Sequence, residues 1–311
     1  MKQKIILFFC LCLMIFLLLH PQDALAAAKD GLSLWLNVMI PTLLPFLILT
    51  GILLKTGNIQ KLLRPLSPAG KILLGLSPAG LYVLILGLLC GYPMGAKLAH
   101  DLYIEQQISR REGEYLLTFS CNASPAFILS YLSRDCLDGR ISPGRIIGIL
   151  LAADVSCMLF FRFFVYRGHT VNPVKPKKRK KETSQQDSAG AILDVSIMNG
   201  FETITRLGGY ILMFSLIFAG ISYYWPFKPL TGILLTAPIE LTTGLHRIAL
   251  TELPWKIQYC SSMMLIAFGG LCIMAQTKSV LQNSLSLLPY IISKCLNAAV
   301  VLLILVLSDI L

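Results

Sequence analysis

Hydrophobic segments that break in the middle constrain this chain more than any other feature. The stretch Gly87 to Tyr131 opens apolar and breaks at Gly91-Tyr92-Pro93-Met94-Gly95. It then crosses a charged patch and returns to an apolar segment interrupted at Ser120-Cys121-Asn122-Ala123-Ser124-Pro125. In a bilayer, backbone that leaves the helix is tolerated only where protein or a water-filled cavity covers it. Short hydrophobic segments interrupted by Gly and Pro point to the binding site of a secondary transporter. The rest of the chain reads as scaffolding for this element and for a weaker partner further on.

The bulk numbers agree with a membrane setting. Of 311 residues, 55% are hydrophobic and 14% charged, against about 25% charged in soluble domains. The net charge of +11 raises the question of nucleic acid, but much of the surplus sits in one run, Lys175 to Lys181. In a polytopic protein such a run reports a cytoplasmic loop, with anionic lipid as a further contact, and no nucleic-acid partner is expected. The nine cysteines form no CxxC pair and the four histidines are dispersed, so neither a metal site, a cofactor site nor a disulfide framework is expected.

Residues 1–28 carry a basic start, an apolar run from Ile5 to Leu19 and a small-residue end at Ala24 to Ala28. That pattern fits a signal peptide or an uncleaved first helix running through Pro21 to Ala28, and the uncleaved helix is the favoured reading. Leu32 to Leu54 is the next span. Trp35 is expected at an interface, Pro41 and Pro45 are expected to kink the helix, and Asn37 and Thr42 to bond the backbone freed nearby. The basic segment Lys55 to Lys71 predicts a cytoplasmic loop. Within Ser67 to Gly80, Ser-Pro-Ala-Gly occurs twice, each copy a candidate helix start with Ser as N-cap and Pro at N1.

Loop charge then sets the topology. With Lys175 to Lys181 inside, Ile146 to Val165 runs inward and Tyr115 to Leu132 outward. Leu98 to Glu114 and Lys71 therefore share the inner face. The segment between them enters and leaves by one face, as a re-entrant hairpin of two half-crossing helices. Arg167 to Gly190 reads as a polar linker, with the second half starting at Gly200. That half repeats the order: a long span Gly200 to Trp225, a Pro-broken segment Leu230 to Leu250 around Glu240, a Gly-interrupted span Tyr259 to Ala275, and Leu288 to Leu307. The same parity argument turns the second hairpin the other way. The expected fold is an all-α polytopic membrane protein. It has two inverted repeats, each with a broken-helix hairpin, over residues 29–166 and 200–311, joined by a basic linker over 167–199.

Asp154 lies in the middle of Ile146 to Val165. An ionisable group at that depth is a functional candidate by default, with a structural pairing to Arg162 or another helix as the bland alternative.

At these motifs the chain resembles the YlbJ-type (SpoVV) sporulation integral membrane proteins, which carry nucleoside-recognition, or Gate, domains. The resemblance rests on Gly31 to Trp35 followed by Ile40 to Phe46, on Gly91-Tyr92-Pro93-Met94-Gly95-Ala96-Lys97, and on Phe119 to Phe127. In the second half it rests on Glu240-Leu241-Thr242-Thr243-Gly244 and Phe268-Gly269-Gly270 with Gln276. It implies a fold like that of concentrative nucleoside transporters. It also implies a transporter of dipicolinate, an aromatic dicarboxylate, from the mother cell into the developing forespore across the outer forespore membrane. Other sporulation membrane proteins or a second copy are the implied partners.

For such a small-molecule anion, half-helix N-termini are suitable donors. Candidate substrate-binding residues are Gly91, Tyr92, Pro93, Gly95, Lys97, Asn122, Ser124, Thr242, Thr243, Gly269, Gly270 and Gln276, with Glu240 and Asp154 as coupling candidates. The bland alternatives are a snorkelling Lys97, packing roles for Gly91 and Gly95, and pairing of Glu240 with Arg206 or Arg247. No Ser/His/Asp set or phosphate loop is visible, so no enzyme is expected. A nucleoside-type transporter and a non-transporting scaffold are the competing functions.

Overall fold

The computed structural model describes residues 2–56, 65, 68, 70–167, 189–224 and 229–308. The basic run Lys175 to Lys181, most of the linker, and Lys61, Arg64 and Ser67 lie outside those residues. Among the described residues every regular element is helical. Five helices are long and apolar enough to cross a bilayer: Pro21–Leu53, Pro143–Val165, Ala189–Tyr223, Trp255–Leu281 and Leu288–Leu307. This is an all-α polytopic membrane protein.

The first helix, α1 (Lys2–Leu19), stops earlier than expected. The turn falls at His20, ahead of Pro21, not near Ala28. Pro fits a first helical position because it lacks the N–H that such a position leaves unbonded. Helix α2 (Pro21–Leu34) then runs through a π-helical turn, Trp35–Met39, into α3 (Ile40–Thr56) without a loop. The π turn lies just ahead of Pro41, whereas Pro45 sits inside the α-helical run of α3. Thr42 Oγ1 donates to the Val38 carbonyl at 2.6 Å, as expected of a residue beside freed backbone. Asn37 instead donates to Ser33 Oγ at 3.0 Å.

The third long helix, α8 in chain order, spans Ala189–Tyr223, so residues 189–199 are helical rather than linker. It packs along α2 and α3, and small residues let the backbones approach. A Cβ on Gly31 would lie 2.8 Å from Ser215 Oγ, and one on Gly51 3.2 Å from Ser196 Cβ. Trp35 lies in this seam. Its indole covers Gly208 and its Nε1–H donates to the Ile204 carbonyl at 2.9 Å. It packs between the two helices.

Between the long helices come α4 (Pro78–Cys90), α5 (Met94–Ile104) and α6 (Arg110–Leu117). A helical stretch Pro125–Phe127 continues as a π helix Ile128–Cys136, and α7 (Pro143–Phe160) completes the half. The expected Ser-Pro start is realised at α4, where Ser77 Oγ accepts from Gly80 N–H at 3.0 Å. With 13 and 11 residues, α4 and α5 are about 20 and 16 Å long, short of the ~30 Å hydrocarbon core. They lie side by side, joined at the Gly91-Tyr92-Pro93 break.

The second half repeats the order. After α8 come α9 (Pro229–Thr236) and α10 (Leu241–Ala249), a still shorter pair joined through Ala237–Ile239. Helices α11 (Trp255–Phe268) and α12 (Gly270–Leu281) form one span broken at Gly269, and α13 (Leu288–Leu307) closes the half against α7 and α11.

Candidate functional site

The interruptions read from the sequence lie against one another. Gly91, at φ +78°, brings its backbone so close to the second break that a Cβ there would stand 2.6 Å from Ser124 N. Gly95 approaches the Ser120 carbonyl in the same way, with a Cβ only 2.1 Å away. From the same hairpin Tyr92 donates its hydroxyl to the Ile266 carbonyl at 2.8 Å, near the break at Gly269. Tyr131, beyond the second break, donates to the Thr242 carbonyl at 2.8 Å, and a Cβ on Gly270 would stand 3.0 Å from the Pro238 carbonyl. Gly91, Gly95 and Gly270 thus let the broken segments meet backbone to backbone, and Gly269 faces the Tyr92 ring. The Tyr92–Pro93 peptide is cis.

A narrow cavity of about 50 Å³ opens where these segments meet. It gathers Tyr92, Ser124, Glu240, Thr242 and Gln276 from the expected set, and α3 and α8 wall it with Leu43, Leu207 and Ile211. Thr243 lies behind it, within 3.3 Å of Ser215 Oγ. Glu240 is the N-cap of α10. Its carboxylate accepts from Thr242 N–H at 3.2 Å, Thr242 Oγ1 at 2.6 Å and Thr243 N–H at 2.7 Å. The alternative, a pairing of Glu240 with Arg206 or Arg247, is not formed among the described residues. Arg206 binds Glu202 at 2.6 Å and Arg247 lies over the Phe218 ring.

Lys97 is not in this cavity. It lines an adjoining vestibule of about 210 Å³ with Pro93, His100, Asp101, Glu202 and Arg206, and its Nζ stands 3.5 Å from Thr203 Oγ1. Gln276 and Leu207 border both spaces, so the vestibule adjoins the central cavity.

Asn122 and Asp154 line a third space, of about 230 Å³, on the other side of the 120–124 break. Asn122 Nδ2 donates to the Phe119 carbonyl at 2.9 Å, and its Oδ1 accepts from Lys294 Nζ at 2.5 Å. Ser293, the residue before, donates to the Thr118 carbonyl at 2.7 Å. Helix α13 therefore satisfies polar groups of the unwound segment, as an apolar environment requires. Asp154 accepts from Asn297 Nδ2 at 2.5 Å, so its partners come from α13 and not from Arg162. Lys294 is 1% exposed and absent from the expected set. The argument that singled out Asp154, a lone charge within an apolar span, applies equally to Lys294 in Leu288 to Leu307.

Among the described residues no group of three or more His, Cys, Asp or Glu is placed to hold a metal ion.

No family model matches the chain, and no solved structure matches it. Among curated proteins it is 25% identical over 313 aligned positions to "Sporulation integral membrane protein YlbJ" of Bacillus subtilis (strain 168), covering 89% of this chain and 76% of that protein. The chain is thus similar, along nearly its whole length, to the YlbJ-type sporulation integral membrane proteins.

Proposed function

We propose that this protein is a membrane transporter that moves a small polar solute past the point where the broken helices meet. The observation that carries this is the convergence of unwound backbone from both halves on one cavity. Broken helices meeting inside a bundle, in two halves of the same element order, are a secondary-transporter arrangement, and the two halves are read as inverted repeats. A scaffold has no use for helix ends and polar side chains turned inward onto a shared space. The protein is read as a carrier.

Dipicolinate is the first candidate solute, carried over from the YlbJ-type resemblance. The site of action is then the outer forespore membrane, with movement toward the forespore. Two basic side chains are placed to meet an anion. Lys97 lines the vestibule, where Arg206 is paired with Glu202 and Asp101 is a further neighbour, and Lys294, clustered with Asp154, stands behind Tyr92 with its Nζ 5.3 Å from the ring centroid. A nucleoside or nucleobase is the second candidate. Glu240 and Gln276 in the cavity wall favour a solute that presents N–H or O–H donors.

Binding to purified protein separates the two. Dipicolinate and a nucleoside panel are titrated by calorimetry against wild type, Lys97→Ala and Gln276→Ala. The anion reading expects dipicolinate to bind and Lys97→Ala to weaken it about tenfold, the loss of one charge-assisted contact of about 1.4 kcal/mol. The nucleoside reading expects nucleoside binding that Gln276→Ala weakens and Lys97→Ala leaves in place. A folded sample that binds neither counts against the transporter.

A further inference from the structure

We propose that Asp154, held in a buried cluster with Lys294, Asn122 and Asn297, is the proton-binding site that couples transport to a pH gradient. The proposal rests on the transporter reading and deepens it.

The cluster is built from opposite sides of the 120–124 break. Asp154 comes from α7, Lys294 and Asn297 from α13, and all are at least nine-tenths buried. The ammonium and the carboxylate do not touch. Asn122 takes the lysine and Asn297 takes the aspartate. Asn297 Oδ1 is buried and has no hydrogen-bond partner. Between these amides and the apolar wall lies the 230 Å³ space, ample for water. A buried carboxylate with one donor, an orphaned amide oxygen beside it and room for water form a place where a proton enters and leaves.

A metal cation fits the same place poorly. Na⁺-like ions take several oxygen ligands, and the walls here are mostly apolar with an ammonium already close by. A proton needs only the one carboxylate. The other titratable groups facing the pair are Tyr92 from the first hairpin, Cys121 from the break, Cys157 on α7 and Tyr290 on α13. None of these is a carboxylate or an imidazole.

The link to the solute is the break itself. Asn122 faces the charged cluster, its neighbour Ala123 borders both this space and the central cavity, and Ser124 borders the cavity. With Asp154 ionised, the cluster is neutral overall. When the carboxylate takes a proton from one side of the membrane, the Lys294 charge is left uncompensated behind Tyr92, and the cluster then attracts an anion in the cavity. Loss of that proton to the other side restores neutrality and releases the anion. One proton and one anion move in the same direction per cycle.

Proteoliposomes carrying the full chain test this with labelled dipicolinate and labelled uridine as probes. Solute–solute exchange without any ion gradient is measured first, and its absence for both probes counts against the transporter reading itself. Where exchange is present, an inward proton gradient is expected to raise uptake several-fold and a protonophore to abolish the rise. Exchange that ignores the proton gradient, or that responds only to a sodium gradient, overturns the proposal and leaves the transporter reading in place.

Assignment to Asp154 is read from protons taken up on solute binding, measured by calorimetry in buffers of different ionisation enthalpy. Wild type is expected to take up close to one proton. Asp154→Asn, which keeps the Lys294 charge, is expected to bind the solute and take up none, and the pair Asp154→Asn with Lys294→Met, which removes both charges, is expected to stay folded and lose dipicolinate binding. Proton uptake that persists in Asp154→Asn, whether or not it disappears in Glu240→Gln, overturns the assignment.

Discussion

Gly95→Ala is the sharpest test of how the first hairpin is held. The added methyl carbon would stand 2.1 Å from the Ser120 carbonyl oxygen and 2.7 Å from its carbon. That is about 1.3 Å inside ordinary contact at 3.4 Å. Both obstructing atoms are backbone, so no rotamer change relieves the clash, and α5 must move away from the break. Overpacking of this kind costs about 1–3 kcal/mol, against a gain of about 1 kcal/mol for Ala over Gly within a helix. With immovable backbone as the obstacle, a net loss of about 2 kcal/mol is expected. Thermal unfolding in detergent reads this as a fall of about 5 °C. Gly148→Ala is the control, because nothing lies within 4 Å of its added Cβ. It is expected to match wild type or gain slightly. A Gly95→Ala protein as stable as the Gly148→Ala protein would refute the close approach of hairpin and break.

Removing Lys294 alone, as Lys294→Met, leaves Asp154 without its countercharge and is expected to cost about 3 kcal/mol. Adding Asp154→Asn is expected to restore much of that loss, as read by denaturation of the two single variants and the pair. Tyr92→Phe deletes the bond to the Ile266 carbonyl and is expected to lower stability by about 1 kcal/mol in the same assay. Glu112 lies outside the spans and accepts from Ser77 N–H at 2.7 Å. Burial raises its carboxyl above the ordinary value, and the bonds to Ser77 oppose the rise. The folded state then holds that proton more tightly than the unfolded chain. Its contribution to stability is present below the unfolded value and is lost as pH rises through the folded one. Melting temperature followed against pH is expected to show that decline in wild type and a flatter profile in Glu112→Gln.

Much of this arrangement was legible in the sequence because breaks in apolar helices are local signals. Gly91-Tyr92-Pro93, Asn122 to Pro125, Pro238 and Gly269 each announce a helix end by residue type, and each is one. What those ends touch is not local. The sequence groups Lys97 with Asn122 and Ser124, whereas in the fold it lines a neighbouring vestibule with Arg206. Residue type makes Glu240 a candidate ion-pair partner, but its donors are the Thr242 hydroxyl and the N–H groups of the helix it begins. Trp35 matched a belt residue by type and position, yet Gly208 on a distant helix makes room for its ring. Lys294 differs from these. Its charge in an apolar span was visible, but its importance comes from Asn122 and Asp154, residues far away in the chain. That the third long helix already includes Ala189 is hidden by the polar composition just before it.

Flux through the protein tests the central claim most directly. Sealed liposomes with purified protein, loaded with unlabelled dipicolinate, are given a trace of labelled dipicolinate outside. The account predicts saturable accumulation of label that protein-free liposomes lack, with a parallel trial for uridine. Protein that remains folded in the bilayer and exchanges neither solute would contradict it.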